Sequence, residues 1–328
     1  MVTPMIPRAR YDLYVASDVS DGGIYHFEID AAGNAVLLDH TALYRPQYMT
    51  IEDSKLYVTI RESHSSEWGC VQVFSLSKEG AVEKKQERWS SRGHVPCHLC
   101  IENGTVYVAN YLSGSVLKCP DRLIRHSGSS VHPIRQTSAH PHFVGITPDR
   151  RYVYVVDLGL DQIILYNKDL EKTSSIALPA GCGPRHLVFD DSGTHVFCLT
   201  ELGSDIYILD YSDGKLVLRG RIASVSGDTT GNAPGAIKRQ GEYILASNRG
   251  RNCLSSFQWL NEMLIAVDEA ETGGDSPRDF DFLDHLVVCG NQNSDLVTVF
   301  CLDDGKFTKL SATLSVPKPV CVLLRRKT

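Results

Sequence analysis

Seven prolines set the frame of this chain. Pro46, Pro96, Pro141, Pro184, Pro234, Pro277 and Pro319 follow one another at intervals of 50, 45, 43, 50, 43 and 42 residues, and each opens a short apolar run. A proline cannot donate to a sheet ladder, so it is at home as the first residue of a strand. A second apolar run follows each of the first six: Leu56-Tyr57-Val58-Thr59, Val106-Tyr107-Val108-Ala109, Val153-Tyr154-Val155-Val156, Phe197-Cys198-Leu199-Thr200, Tyr243-Ile244-Leu245-Ala246 and Leu286-Val287-Val288-Cys289. β-branched and aromatic residues dominate these runs, and Asp, Asn, Gly and Ser clusters after them mark tight turns. Third strands such as Ile163-Ile164-Leu165-Tyr166 come next. Helical periodicity is nowhere sustained.

A unit of 42 to 50 residues is too small to bury a core alone and must stack on its neighbours, and the period is that of a propeller blade. The spacing therefore predicts an all-β fold, a seven-bladed β-propeller, as one domain over residues 1–328. The first unit, with Leu13-Tyr14-Val15-Ala16, lacks a Pro-led strand, whereas Pro319-Val320-Cys321-Val322-Leu323-Leu324 has no unit after it. The C-terminal strand is expected to complete the first blade, closing the ring and covering two sheet edges. Insertions at 60–69, 123–139 and 224–233 are expected as surface loops able to cover a pocket mouth.

A formal net charge of -6 gives no reason to expect nucleic acid or an anionic membrane as partner. No obligate protein partner is evident. Residues 1–10 lack an apolar core of signal-peptide length, and no run approaches the roughly 18 apolar residues of a spanning helix, so a cytoplasmic protein is expected. Of the ten cysteines, Cys70, Cys198, Cys289, Cys301 and Cys321 lie in strand-like runs, as reduced buried thiols do. Cys97-His98-Leu99-Cys100 has no second paired half at zinc spacing, which leaves two strand cysteines.

In a propeller blade the start of the first strand and the end of the second meet at one face. Two rings of residues should converge there. After the prolines stand Gln47, Cys97, His142, Arg185, Gly235, Arg278 and Val320; at the second-strand ends stand Asp18, Ile60, Asn110, Asp157, Glu201, Asn248 and Asn291, with Tyr111, Arg249 and Gln292 one step further. Asp161, Asp205, Asn252 and Asp295 lie about four residues beyond the second ring and are expected in turns. Tyr107 and Tyr154 are expected between blades, His186 in a structural interblade role, and Arg61, Arg251, Arg325 and Arg326 in solvent.

The set Asn110-Tyr111-Leu112-Ser113-Gly114, His140-Pro141-His142, Asp157-Leu158-Gly159-Leu160-Asp161, Gly183-Pro184-Arg185-His186, Glu201-Leu202, Ser247-Asn248-Arg249-Gly250, Pro277-Arg278 and Asn291-Gln292 resembles the propeller lactonase family, which holds bacterial 6-phosphogluconolactonases and fungal 3-carboxy-cis,cis-muconate lactonising enzymes. The resemblance implies a lactone opened or closed at the mouth without metal or organic cofactor, with His142, Arg185, Glu201 and Arg249 as catalytic residues.

The chemistry of the residues agrees. Lactone hydrolysis needs a deprotonated water, a stabilised oxyanion and a protonated leaving alkoxide. Glu201 or His142 can take the water proton, Arg185 can face the oxyanion, and His142 can return the proton. Arg249 and Arg278 suit a phosphate or carboxylate; Asn110, Asp157, Asn291 and Gln292 are the other expected substrate contacts. The expected substrate is a small anionic lactone, 6-phosphogluconolactone foremost. Glu201→Gln and His142→Asn should each cut the rate roughly 10²-fold or more with folding unaffected. Three alternatives stay open: a lactonising cycloisomerase, a Ca²⁺-dependent gluconolactonase-like hydrolase using Asp157, Glu201, Asn248 and Asn291 as an oxygen cradle, and a non-catalytic scaffold. The chain has no nucleophile elbow, zincin helix, phosphate-binding Lys loop or dinucleotide fingerprint.

Overall fold

In the computed structural model, which describes residues 9–62 and 67–327, the strands assemble into seven four-stranded antiparallel sheets. Six sheets are contiguous in sequence, beginning at Pro46, Pro96, Pro141, Pro184, Ala233 and Pro277. The remaining sheet takes its innermost strand from Pro319–Arg326 and its other three from Arg10–Ser17, Gly23–Asp30 and Ala35–Ala42. This is the seven-bladed propeller, closed as expected by the C-terminal strand.

The near-continuous apolar character of the second strands follows from the stacking. A strand covered on both faces has no reason to alternate apolar with polar residues. In the fifth blade, Val196 and Cys198 pack toward the fourth, while Phe197 and Leu199 pack toward the sixth. Seven hydrophobic clusters result among the described residues, one at each interface between blades. Tyr107 and Tyr154 lie in two of them, as expected. The fourth strands are exposed instead, as in Val36, Leu37 and Leu38 of the first blade. All ten cysteines are free thiols.

The closing strand is held by more than its ladder to Arg10–Ser17. From the seventh blade, Asp279 Oδ2 accepts the backbone N–H of Val322 at 3.0 Å and Asp281 Oδ2 accepts that of Leu324 at 2.8 Å. Lys238 donates to Asp281 Oδ1 at 2.8 Å, which offsets the buried negative charge. Arg325, expected in solvent, donates twice to the fully buried Asp12. Arg326 pairs with Asp284 while its side chain stays exposed, in solvent as expected. Removing residues 319–328 should therefore open the ladder on Arg10–Ser17, strip the seventh blade of its contacts with the closing strand, and expose a strand edge prone to intermolecular pairing. The expected outcome is loss of the monodisperse species by size-exclusion chromatography, with the strand restored in trans or by circular permutation recovering it; a monodisperse truncated chain would contradict this account of closure.

Candidate active site

One local device repeats around the ring and aims side chains at its axis. The residue after each blade-opening proline is skipped by the ladder, so that Pro141 pairs with Asp157 but Phe143 already pairs with Val156. The same shift follows Pro46, Pro96, Pro184 and Pro277. In the sixth blade both Gly235 and Ala236 are skipped, and in the first Val320 is skipped. A β-bulge of this kind frees one residue from pairing and re-aims its side chain. Gln47, Cys97, His142, Arg185 and Arg278 are thereby turned to the channel. Gly235 stays small for a packing reason: a Cβ there would lie 2.7 Å from the Arg278 carbonyl oxygen and the Ser247 hydroxyl.

The second ring has two phases, and they do different work. Residues paired with the prolines are Ile60, Asn110, Asp157, Thr200, Asn248 and Asn291. All are buried, and the polar ones bond inward. Asn110 bonds Ser91 and Ser115, Asn248 bonds Ser255, Asn291 bonds Thr298, and Asp157 Oδ1 accepts the backbone N–H groups of His140, Gly159 and Leu160. Residues one step later face the mouth: Asp18, Arg61, Tyr111, Glu201, Arg249 and Gln292 all line one cavity of about 350 Å³, with Gln47, Cys97, Arg135, His142 and Arg278 among the other walls. That volume suits a small-molecule ligand.

Three expected substrate contacts are corrected by this phase. Asn110, Asp157 and Asn291 are completely buried and hold turns and strand ends together, so no ligand in the cavity reaches them. The oxygen cradle expected for Ca²⁺ is not assembled among the described residues, because Asp157, Asn248 and Asn291 are fully buried off the cavity that Glu201 lines and Glu201 is committed to guanidinium groups. Arg61 is corrected in the other direction, from solvent to cavity wall. The same one-residue offset puts Ser204 rather than Asp205 in the left-handed turn conformation shared by Asp161, Asn252 and Asp295, with φ between 54° and 56°.

Glu201 is the hub of the site. Its carboxylate pairs with Arg185 at 3.0 Å, with Arg249 at 2.8 Å and with Arg135, while only 3 % of the side chain is exposed. Burial opposes its ionisation, but Arg249, Arg185 and Arg135 outweigh it and hold the carboxyl well below the usual range. Arg185 lies one layer deeper, outside the walls of the main cavity, with its guanidinium on Glu201, His186 and the Gly235 carbonyl. It braces Glu201 and is not placed to face an oxyanion. His186 is its structural partner, as expected.

His142 meets the cavity as a neutral imidazole. Burial, then the positive charge of Arg185, pushes its pKa well below the ordinary histidine value, against the opposing pull of Glu201. Its ring packs edge-on against Tyr111 at 5.4 Å and His186 at 5.3 Å, and its buried Nδ1 has no partner among the described residues.

Arg135 is the residue that sequence reasoning missed. It comes from the irregular segment 126–139 and donates to both Glu201 and the Tyr111 hydroxyl. Asp161 anchors that segment by accepting from Ser130 at 2.5 Å and Gln136 at 2.8 Å, and His126 bonds Asp157 and Tyr166. The segment was legible as an insertion near the mouth; nothing in its composition singled out Arg135, which belongs to no blade position.

Fold and site together define a seven-bladed propeller with a strongly cationic axial pocket built around one carboxylate and one neutral histidine. The family model described as Lactonase, 7-bladed beta-propeller matches residues 12–324, and the chain belongs to that family. A Bacillus subtilis relative named 6-phosphogluconolactonase is 30% identical over 95% of this chain and 98% of its own length. Among solved structures, a Bacteroides fragilis protein superposes with a TM-score of 0.88 at 26% identity, covering 98% of this chain and 100% of its own. The periplasmic gluconolactonase of Pseudomonas aeruginosa, at 24% identity and TM-score 0.87 over 96% of this chain and 99% of its own, shares the fold. No helix among the described residues is long and apolar enough to cross a membrane.

Proposed function

We propose that this chain is a metal-independent lactonase that hydrolyses a sugar-acid lactone, with 6-phosphogluconolactone as the leading substrate. The observation that carries the reading is the convergence of a neutral His142, the Glu201 carboxylate and four arginines on one cavity. Family membership and the name of the Bacillus subtilis relative support the substrate class.

His142 takes a proton from water as the water oxygen adds to the lactone carbonyl carbon. Arg135 and Arg249, both on the cavity wall and both steadied by Glu201, stabilise the oxyanion that forms. When the intermediate collapses, the bond from the carbonyl carbon to the ring oxygen breaks and that oxygen takes the proton from the His142 imidazolium. Glu201 stays ionised throughout. Its role is to hold the two guanidinium groups and to favour the transient imidazolium, because a carboxylate held this low is a poor proton acceptor. A cytoplasmic setting suits ten free thiols.

Hydrolysis, corrected for the spontaneous rate, is the direct test, with 6-phosphogluconolactone, the unphosphorylated lactone and a carboxymuconolactone compared side by side. Turnover of the sugar lactones, undiminished by EDTA, is the expected result. No turnover above background on any of the three, or loss with EDTA and recovery with Ca²⁺, would overturn the reading.

A further inference from the structure

The four arginines on the cavity wall divide into two pairs. Arg135 and Arg249 are engaged by Glu201, and Arg249 also donates to the carbonyls of Ala233 and Pro234 at 2.9 and 3.0 Å. Arg61 and Arg278 line the same cavity, yet their guanidinium groups bond no described residue.

The neighbouring acidic groups make other contacts and form no described ion pair with these two arginines. Asp18, on the same wall, is gripped by Arg45 through two bonds of 2.7 and 3.3 Å. Glu62, next to Arg61, accepts the backbone N–H of Val95 at 2.9 Å and lies 3.7 Å from His94. Burial and the neighbouring charge of Arg249 depress the pKa of Arg278, and Glu201 and Asp18 offset this only in part, without an ion pair to either. Holding such a charge is costly unless an anion arrives to pair with it. Gln292, also on the wall, has a side-chain amide that bonds no described residue and is available as a further donor.

The topology roots these groups on strands other than those that carry the reacting end. Arg61 belongs to the second blade and Arg278 and Gln292 to the seventh, so they flank the first blade. His142 and Glu201 belong to the fourth and fifth, on the far side of the ring. A ligand whose carbonyl meets His142 and which fills the cavity toward the first blade comes to two guanidinium groups without an ion-pair partner, with the Arg278 side chain also reaching back to a recess it shares with His142.

We propose that Arg61, Arg278 and Gln292 form a subsite for a dianionic phosphate monoester carried by the substrate at the end remote from the lactone carbonyl. Two unpaired cations call for two negative charges on one compact group, and the forked guanidinium matches phosphate oxygens. The assignment rests on the lactonase reading for the orientation of the ring. It moves the anion contact expected of Arg249 to Arg61, because Arg249 is committed to Glu201.

Two measurements on the full chain separate this subsite from that reading. Orthophosphate titrated by calorimetry should bind the wild type and lose affinity ~10-fold or more in R61Q and in R278Q, the scale of a lost charged hydrogen bond. The ratio of kcat/KM for the phosphorylated over the unphosphorylated lactone should fall by a similar factor in each variant. Arg61 is the safer position for folding, and R61K, which keeps the charge without the fork, should recover part of the ratio. Phosphate binding that depends on Arg61 and Arg278 in a protein with no lactone turnover would uphold the subsite and overturn the lactonase. Turnover with an unchanged ratio in both variants, or an Arg61-dependent preference for the carboxymuconolactone, would overturn the subsite and leave the hydrolase intact.

Discussion

His142→Asn is expected to lower kcat for lactone hydrolysis by roughly 10²- to 10⁴-fold, the range for loss of a positioned acid-base group. The fold should survive, because the His142 Nδ1 has no hydrogen bond to lose and the residue lies at a bulge outside the ladder. The circular dichroism spectrum and Tm of the variant check that point. The pH profile gives a second readout. A base acts in its neutral form, so the rate falls as pH drops through the pKa of the folded enzyme. Burial and Arg185 place that pKa well below the ordinary histidine value, so the acid limb should lie below the ordinary histidine range and the profile should be flat across neutral pH. An acid limb near the unperturbed value of about 6.5 would show that a solvated histidine is titrating instead. Near-normal turnover in H142N would remove His142 from the chemistry.

The propeller was legible because its signals are local and repeat. A proline at the head of each inner strand, a doubly buried second strand and a turn after it recur seven times, and repetition makes a weak signal strong. The residues after the prolines were legible for the same reason, since each bulge sits at one fixed place. The second ring was harder. Its buried and its cavity-facing members are adjacent in sequence and equally polar, as Asn291 and Gln292 show, and alternation alone cannot say which of two neighbours faces the axis. Asp18 and Glu201 were read in the cavity-facing phase, Asn110, Asp157 and Asn291 in the buried one. Arg135 was beyond reach because an irregular segment places it, and that placement depends on Asp157 and Asp161 acting as anchors across blades.

Glu201→Gln should lose stability as well as rate, which revises the expectation that folding would be untouched. The native carboxylate is the shared counter-ion of Arg135, Arg185 and Arg249, and it is 3 % exposed. Removing one partner of a buried ionic cluster leaves uncompensated charge and costs about 3–5 kcal/mol. The sign of the pH dependence follows from its pKa. A carboxyl held below its unfolded value contributes stability that is fully present above the unfolded range and is lost as pH falls through the folded pKa. The wild type should therefore exceed E201Q in stability at neutral pH, and the gap should narrow only under strongly acidic conditions. A double variant gives the sharper test. If the loss arises from stranded guanidinium charge, E201Q/R249Q should be more stable than E201Q, because it removes one of the cations left behind. Losses that simply add in the double variant would show that Glu201 contributes through packing and not as a counter-ion. Denaturant titrations of the two single variants and the double, at pH 7 and again in acid, decide between these outcomes.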